Sequence, residues 1–242
     1  MTEIEQLQVE SRFRGPPDSA NGGYLAGLLA RVLGGVVTVR LQAPPPLHHP
    51  LSLERSESGL QLRAGEQPVA QARAAELDLQ APQAPTLTEA IQASEHYVGF
   101  REHPFPGCFV CGPARAEGDG LRIFPGRVGD RDLVAAPWHP TPDLADSDGN
   151  VAVEHLWAAL DCSGFFAFAE KLSGRVALLG ELTARIDAAV AADQPVIVVG
   201  WPIAQEGRKC IAGSALYDAE GQPLAVARAT WIVLNPPGGQ VS

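Results

Sequence analysis

Val37-Thr38-Val39-Arg40-Leu41-Gln42-Ala43 returns in altered spelling as Leu182-Thr183-Ala184-Arg185-Ile186-Asp187-Ala188, 145 residues further on. The segments that follow keep that spacing, with Pro50-Leu51-Ser52-Leu53 answering to Pro195-Val196-Ile197-Val198. Farther out, Gln67-Pro68-Val69-Ala70-Gln71-Ala72-Arg73-Ala74 matches Gln222-Pro223-Leu224-Ala225-Val226-Ala227-Arg228-Ala229 at a spacing of 155, so the second stretch carries ten extra residues. Solenoid repeats run ~20–50 residues. A unit this much larger predicts two similar domains packed as a pseudo-dimer, in imitation of the twofold pair that is the commonest symmetric assembly. Fusion of two such units lets one keep chemistry that the other loses.

Around the repeated text, the pattern predicts a buried helix followed by an antiparallel sheet in each half. Residues 12–23 are a loop rich in turn formers. Tyr24-Leu25-Ala26-Gly27-Leu28-Leu29-Ala30-Arg31-Val32-Leu33 is apolar nearly all round and stops at Gly34-Gly35. Its length and glycine stop favour helix over strand. Strands are expected at 36–42, 51–56, 59–63 and 69–77, several with the period-two alternation of a half-buried sheet. Gln80-Ala-Pro-Gln-Ala-Pro reads as a linker. A short helix over 86–95, capped by Thr88, comes next. We place the boundary there, giving an N-terminal half 1–95 and a C-terminal half 96–242. In the second half, strands are expected at 121–125 and 132–136. A second central helix is expected over 153–172, and strands at 177–188, 196–202, 209–217 and 224–234. Asp218-Ala219-Glu220-Gly221 is a hairpin turn.

Composition bounds the function. Apolar residues make up 45% of the 242 and charged ones 19%, which fits a folded chain with two cores. The formal charge of −10 argues against nucleic acid as a partner, because neutralising phosphates needs a basic face. An anionic ligand would need a local basic patch, for which Arg12 with Arg14, or Arg122 with Arg127, are the candidates. Apolar runs fall short of the ~20 residues that span a bilayer. The acidic start Met1-Thr2-Glu3-Ile4-Glu5 lacks signal-peptide character, so a cytoplasmic protein with no membrane partner is expected. Cys108-Phe-Val-Cys111-Gly112 has the spacing of half a zinc site. A tetrahedral site needs two more ligands. Cys162 and Cys210 form no second such pair, and His103 and His139 stand apart among prolines. The reading preferred from sequence is a tight turn ending at Gly112, with no metal.

A helix wrapped by antiparallel strands and repeated in one chain resembles the hotdog fold, here as a tandem (double) hotdog of class α+β, with two antiparallel sheets each wrapped round a central helix. Asn21-Gly22-Gly23-Tyr24-Leu25-Ala26 resembles the glycine-glycine start of the hotdog helix in acyl-CoA thioesterases. Cys108–Gly112 with Gly120-Leu121-Arg122-Ile123 resembles small hotdog thioesterases. Asp161, in Ala159-Leu160-Asp161-Cys162-Ser163, resembles the helix aspartate of double-hotdog, type II acyl-CoA thioesterases. The resemblance implies thioester hydrolysis at one site between the halves, with coenzyme A only as part of the substrate and a homodimer of such chains as a further assembly. The alternative is a non-catalytic hotdog module that binds acyl-CoA or a similar ligand.

The chemistry of the residues is consistent with this. A carboxylate in an apolar helix is costly unless paired or useful. Asp161 is such a group, and Tyr24–Leu33 holds no acid. Backbone amides at a glycine-rich helix start can hold a developing oxyanion. Asn21, Gly22, Gly23 and Tyr24 are therefore the expected substrate-binding residues from the first half. Glu154 is either a base or a first-turn acid favoured by the helix dipole. His155 either orients a water or is a partly exposed helix-start residue. Thr230 is the nearest candidate for the strand glutamine of type II thioesterases, and their strand Ser or Thr falls near Glu181 or Thr183. Phe165, Phe166, Phe168 and Trp157 would suit an acyl tail.

Overall fold

The computed structural model describes residues 4–235. β2 (Val37–Leu41), β3 (Leu51–Ser56), β4 (Gly59–Ala64) and β5 (Gln67–Ala74) follow the first long helix, α1 (Gly22–Leu33). β8 (Ala177–Ile186), β9 (Val196–Glu206), β10 (Lys209–Tyr217) and β11 (Pro223–Val233) follow the helical segment of the second half. With β1 (Ile4–Leu7), β6 (Gly126–Arg127) and β7 (Val134–Trp138), all of them form one sheet in the order β1-β3-β4-β5-β2-β8-β11-β10-β9-β7-β6. The first four strands of the repeat run 3-4-5-2 and their counterparts 9-10-11-8 read from the far side, so both halves share one order.

The two sheets expected from sequence are therefore one. The reason lies in the opening motif: β2 pairs antiparallel with β8 through Val37↔Ala184, Thr38↔Thr183, Val39↔Leu182 and Arg40↔Glu181. Replacing each residue by its counterpart 145 positions along maps this register onto itself, with Thr38 and Thr183 exchanging places. Their hydroxyls bond to each other at 2.7 Å. Ladder bonds that would have been left on two edges are satisfied between the halves.

α1 is capped by Asn21, whose side chain accepts from the Tyr24 amide at 2.8 Å, and it stops at Gly34, where φ is +73°. Every residue from Gly23 to Ala30 is buried. The second central helix departs from expectation. Instead of one span it is three: α3 (Val153–Ala159), α4 (Cys162–Phe166) and α5 (Ala169–Leu172). The first break falls at Leu160 and Asp161, between the end of α3 and the start of α4, although Asp161 itself keeps a right-handed helical backbone (φ −76°, ψ −79°). The carbonyl of Leu160 at the break is taken up by the buried Ser214 hydroxyl at 2.5 Å.

α1 and α3 cross in opposite directions with almost nothing between their backbones. A Cβ on Gly23 would lie 2.5 Å from the Asp161 Cβ and 2.7 Å from the Trp157 carbonyl oxygen. One on Gly27 would lie 2.4 Å from the Glu154 Cα. Glycine at these two positions is what lets the helices touch.

The last element of the first half, α2 (Leu87–Glu95), packs on the far face of the second-half strands β7, β6 and β9. Its cap is Thr86, not Thr88: Thr86 accepts from the Glu89 amide at 3.2 Å while Glu89 accepts from the Thr86 amide at 2.7 Å. Thr88 lies one residue inside the helix, where its hydroxyl cannot serve the first turn. Ala90 and Ala93 meet Ile197, Val199, Ala215 and Tyr217, whereas Val196, Val198 and Leu216 face the main core. Burial on both faces explains why Val196-Ile197-Val198-Val199 is continuously apolar. Leu51, Leu53, Leu60 and Leu62 alternate instead with exposed or half-buried neighbours. Residues 121–125, expected as a strand, are irregular, with Arg122 in the left-handed region (φ +53°), and are held by Leu121 to Phe109 and Ile123 to Val110 backbone bonds; a strand needs a continuous partner that this segment lacks. β1 carried no recognisable signal in the sequence.

Candidate functional site

Asp161 is 2% exposed. One carboxylate oxygen, Oδ2, accepts from the Asn21 side-chain amide at 2.8 Å and from the Gly23 backbone amide at 3.0 Å. The other, Oδ1, is buried and has no partner among the described residues. Burial pushes the Asp161 pKa up to about 7; the Gly23 amide opposes this, the nearby Cys108 adds to it, and Asn21 opposes it. The start of α1 and the break between α3 and α4 are thus joined through one carboxylate. Asn21 and Asp161, 140 positions apart in sequence, meet here, but the Gly23 amide is occupied by Asp161 and is not free for a ligand. The Gly22 amide, at the first position of the helix, has no acceptor among the described residues.

Asp161, Asn21 and Gly22 lie on the wall of a cavity of about 530 Å³. The first half contributes parts of 15–22 and all of 41–45, and the second contributes parts of 103–111, 161–166, 177–180 and 231–234. Leu41, Leu179, Phe165, Phe166, Trp231 and Ile232 make most of it apolar. A volume of that size suits a small-molecule ligand with few polar anchors. Phe165 and Phe166 line it as expected; Phe168 and Trp157 are buried elsewhere in the core. Sequence reasoning offers no ground for placing Trp231 here, whose indole N–H is buried with no acceptor among the described residues, and it reads His103 as isolated. The first is detectable only as an aromatic on an inward strand position, the second only once the loop is placed.

The remaining candidates are not brought to the cavity. Glu154 is buried against α1 and pairs with Arg31 at 2.6 Å. His155 sits within an aromatic cluster of Phe13, Tyr24 and Phe109, with ring centroids 5.6–6.0 Å away, and burial lowers its pKa. Tyr24 stacks on Phe13 at 4.1 Å, and burial raises its pKa to about 12. Thr230 pairs with Glu181 in the β8–β11 ladder, and Thr183 is spent on Thr38. The arginines read as a basic patch are engaged: Arg12 with Asp143 at 2.6 Å, Arg14 with the Gly107 carbonyl at 3.2 Å, Arg122 with the Arg115 carbonyl, and Arg127 with Glu170 at 3.7 Å.

Beside Asp161, the fold gathers three thiols. Cys108, Cys111 and Cys162 are buried, with their sulfurs all within 4.8 Å of one another and Cys108 3.9 Å from Cys162. The neighbouring thiols of Cys111 and Cys162 donate to Cys108 and hold it well below the usual thiol range. Burial pushes Cys111 up, and donation to Cys108 raises Cys162.

No family model matches the sequence, and no curated protein matches it. Solved structures do match. A tesB protein of Mycobacterium avium subspecies paratuberculosis superposes with a TM-score of 0.62 at 12% identity, over 97% of this chain and 96% of that one. A protein of Alicyclobacillus acidocaldarius with the hot dog fold gives 0.65 at 12%, over 98% and 96%. The chain has the hotdog fold. An acyl-CoA thioesterase II, TesB2, of Mycobacterium marinum gives 0.61 at 12%, over 99% and 98%. At such identity the likeness is one of hotdog architecture, since one fold hosts many functions. No helix among the described residues is long and apolar enough to cross a membrane.

Proposed function

We propose that the chain hydrolyses acyl-CoA or a chemically similar thioester at one site between halves 1–95 and 96–242, which we read as two copies of one unit. The observation that carries this is Asp161: Oδ2 is fixed by two donors from the start of α1, while Oδ1 is unpartnered on the wall of an apolar cavity. A carboxylate so placed can take a proton from water as the water attacks the thioester carbonyl carbon. The Gly22 amide is the available donor for the oxyanion that forms. Collapse of that intermediate breaks the carbon–sulfur bond, and the proton held by Asp161 passes to the leaving thiolate. Asn21 and Gly23 position the base by fixing its other oxygen. The hotdog likeness to an acyl-CoA thioesterase II supports the substrate class.

A specific observation favours the second reading, a non-catalytic module that binds acyl-CoA. Thr183 and Thr230, the nearest matches to the type II strand residues, lie outside the cavity wall. Release of free thiol from short-chain, long-chain and aryl acyl-CoAs, measured beside calorimetric binding, separates the two. Turnover of at least one class supports hydrolysis. Saturable binding without thiol release from any of them contradicts it and favours the module.

A further inference from the structure

Three of the four cysteines are spent on one spot, and the thioesterase reading uses none of them. Cys108 and Cys111 come from one tight turn; Cys162 arrives from the first position of α4, 51 residues further on than Cys111. The turn is pinned from several sides. Gly112 donates to the Cys108 carbonyl at 3.0 Å, the Tyr97 hydroxyl donates to the Cys111 carbonyl at 3.0 Å, and Arg115 donates to the Gly107 carbonyl at 2.9 Å. A Cβ on Gly112 would fall 2.5 Å from the carbonyl oxygens of Cys108 and Pro106, so this tight return of the chain requires glycine.

The spacing of the sulfurs matches a common centre. Zinc–sulfur bonds of ~2.3 Å in a tetrahedron set sulfurs about 3.8 Å apart. The Cys108–Cys162 separation is 3.9 Å, and Cys111 lies within 4.8 Å of both. All three line the cavity. A metal that binds such a cluster displaces the thiol protons as it does so, and thiolate ligands select zinc among the divalent metals. Next to them lies Asp161, 98% buried by its 2% exposure, with Oδ1 unpartnered. His103 is close too, but its Nδ1 accepts from the Phe105 amide at 2.9 Å, which leaves its other nitrogen protonated and unable to ligate.

We infer that Cys108, Cys111 and Cys162 form a three-thiolate zinc site in the cavity wall, with its fourth position turned to the cavity or to Asp161. The inference does not depend on the thioesterase reading, and its test reads metal and not turnover.

Full-length protein, reduced and purified without chelator, should carry about one zinc per chain by elemental analysis, in keeping with one three-thiolate site. Stripped protein titrated with cobalt(II) should develop a thiolate-to-metal charge-transfer band that zinc then abolishes. Cys111→Ser should lower zinc affinity by more than the ~10–100-fold that loss of a mere supporting group costs. Cys210→Ser, a thiol outside the cluster, should leave it unchanged. If Cys111→Ser does not fold, the cobalt spectrum of the unaltered protein decides alone. Reduced wild type that contains no zinc, takes up none on titration and gives no cobalt band overturns the site. A Cys108–Cys162 disulfide in native protein that binds no metal after reduction overturns it equally.

Discussion

α1 and the segment α3–α5 each precede a four-strand run of the sheet, and they differ in opposite ways. α1 is unbroken over twelve residues, apolar, and without an acid. Its counterpart is broken into three pieces, and at the first break stands Asp161, buried, with Cys162 beside it. The unbroken helix supplies an N-terminus and glycines for close approach. The broken one supplies the carboxylate and turns a thiol toward the Cys108 loop. Neither half alone sets Asp161 against the start of α1; that contact exists because α1 and α3 cross with Gly23 between them.

Breaking that difference from the first side should have the largest effect on stability. Leu29, inside α1, is fully buried. Leu29→Asp puts an unpaired carboxylate where no donor waits, at a cost of several kcal/mol of the ~5–15 that holds a typical domain. The expected outcome is a chain that fails to give a cooperative melt by circular dichroism; a melt near wild type would deny that the first helix is committed to packing.

A smaller loss is expected at the crossing. Gly23→Ala sets a methyl against the Asp161 Cβ and the Trp157 carbonyl. Overpacking of this kind costs ~1–3 kcal/mol. In a chain of this size that lowers the melting temperature by roughly 2–12 °C. Calorimetry checks it, and an unchanged melting temperature would mean the helices are not in backbone contact.

The smallest effect belongs to Glu154. Its partner Arg31 has a side chain 53% exposed, so the 2.6 Å pair is worth ~0.2–1 kcal/mol. Glu154→Gln should shift the melt slightly and leave thiol release unchanged, because the side chain faces α1 and not the cavity. A large fall in turnover would move the base from Asp161 to Glu154.

Most strands and the whole of α1 were legible, because alternation, an asparagine cap and a glycine stop are local signals. The merging of two sheets was not, because only the meeting of β2 and β8 decides it. The break at Asp161 left a trace in Ser163 and Gly164, weak helix formers at the restart, but an apolar run on both sides masks it. Gly23 was read as an oxyanion donor; its real constraint is the closeness of Asp161, a tertiary fact. The thiol cluster was half visible. Two cysteines are three residues apart, and the third joins only after the second helix has broken and turned.

The central claim is that the acid of the broken helix is the working group of the site. Asp161→Asn keeps the volume and the contact with Asn21 and Gly23 but cannot take a proton from water. Thiol release from whichever acyl-CoA the wild type turns over is the measurement, with a melt run on the same samples. The account predicts a loss of ~10²–10⁴-fold in kcat, the usual share of a general base, in a protein that still melts cooperatively. An Asp161→Asn protein that folds and hydrolyses at the wild-type rate would contradict it.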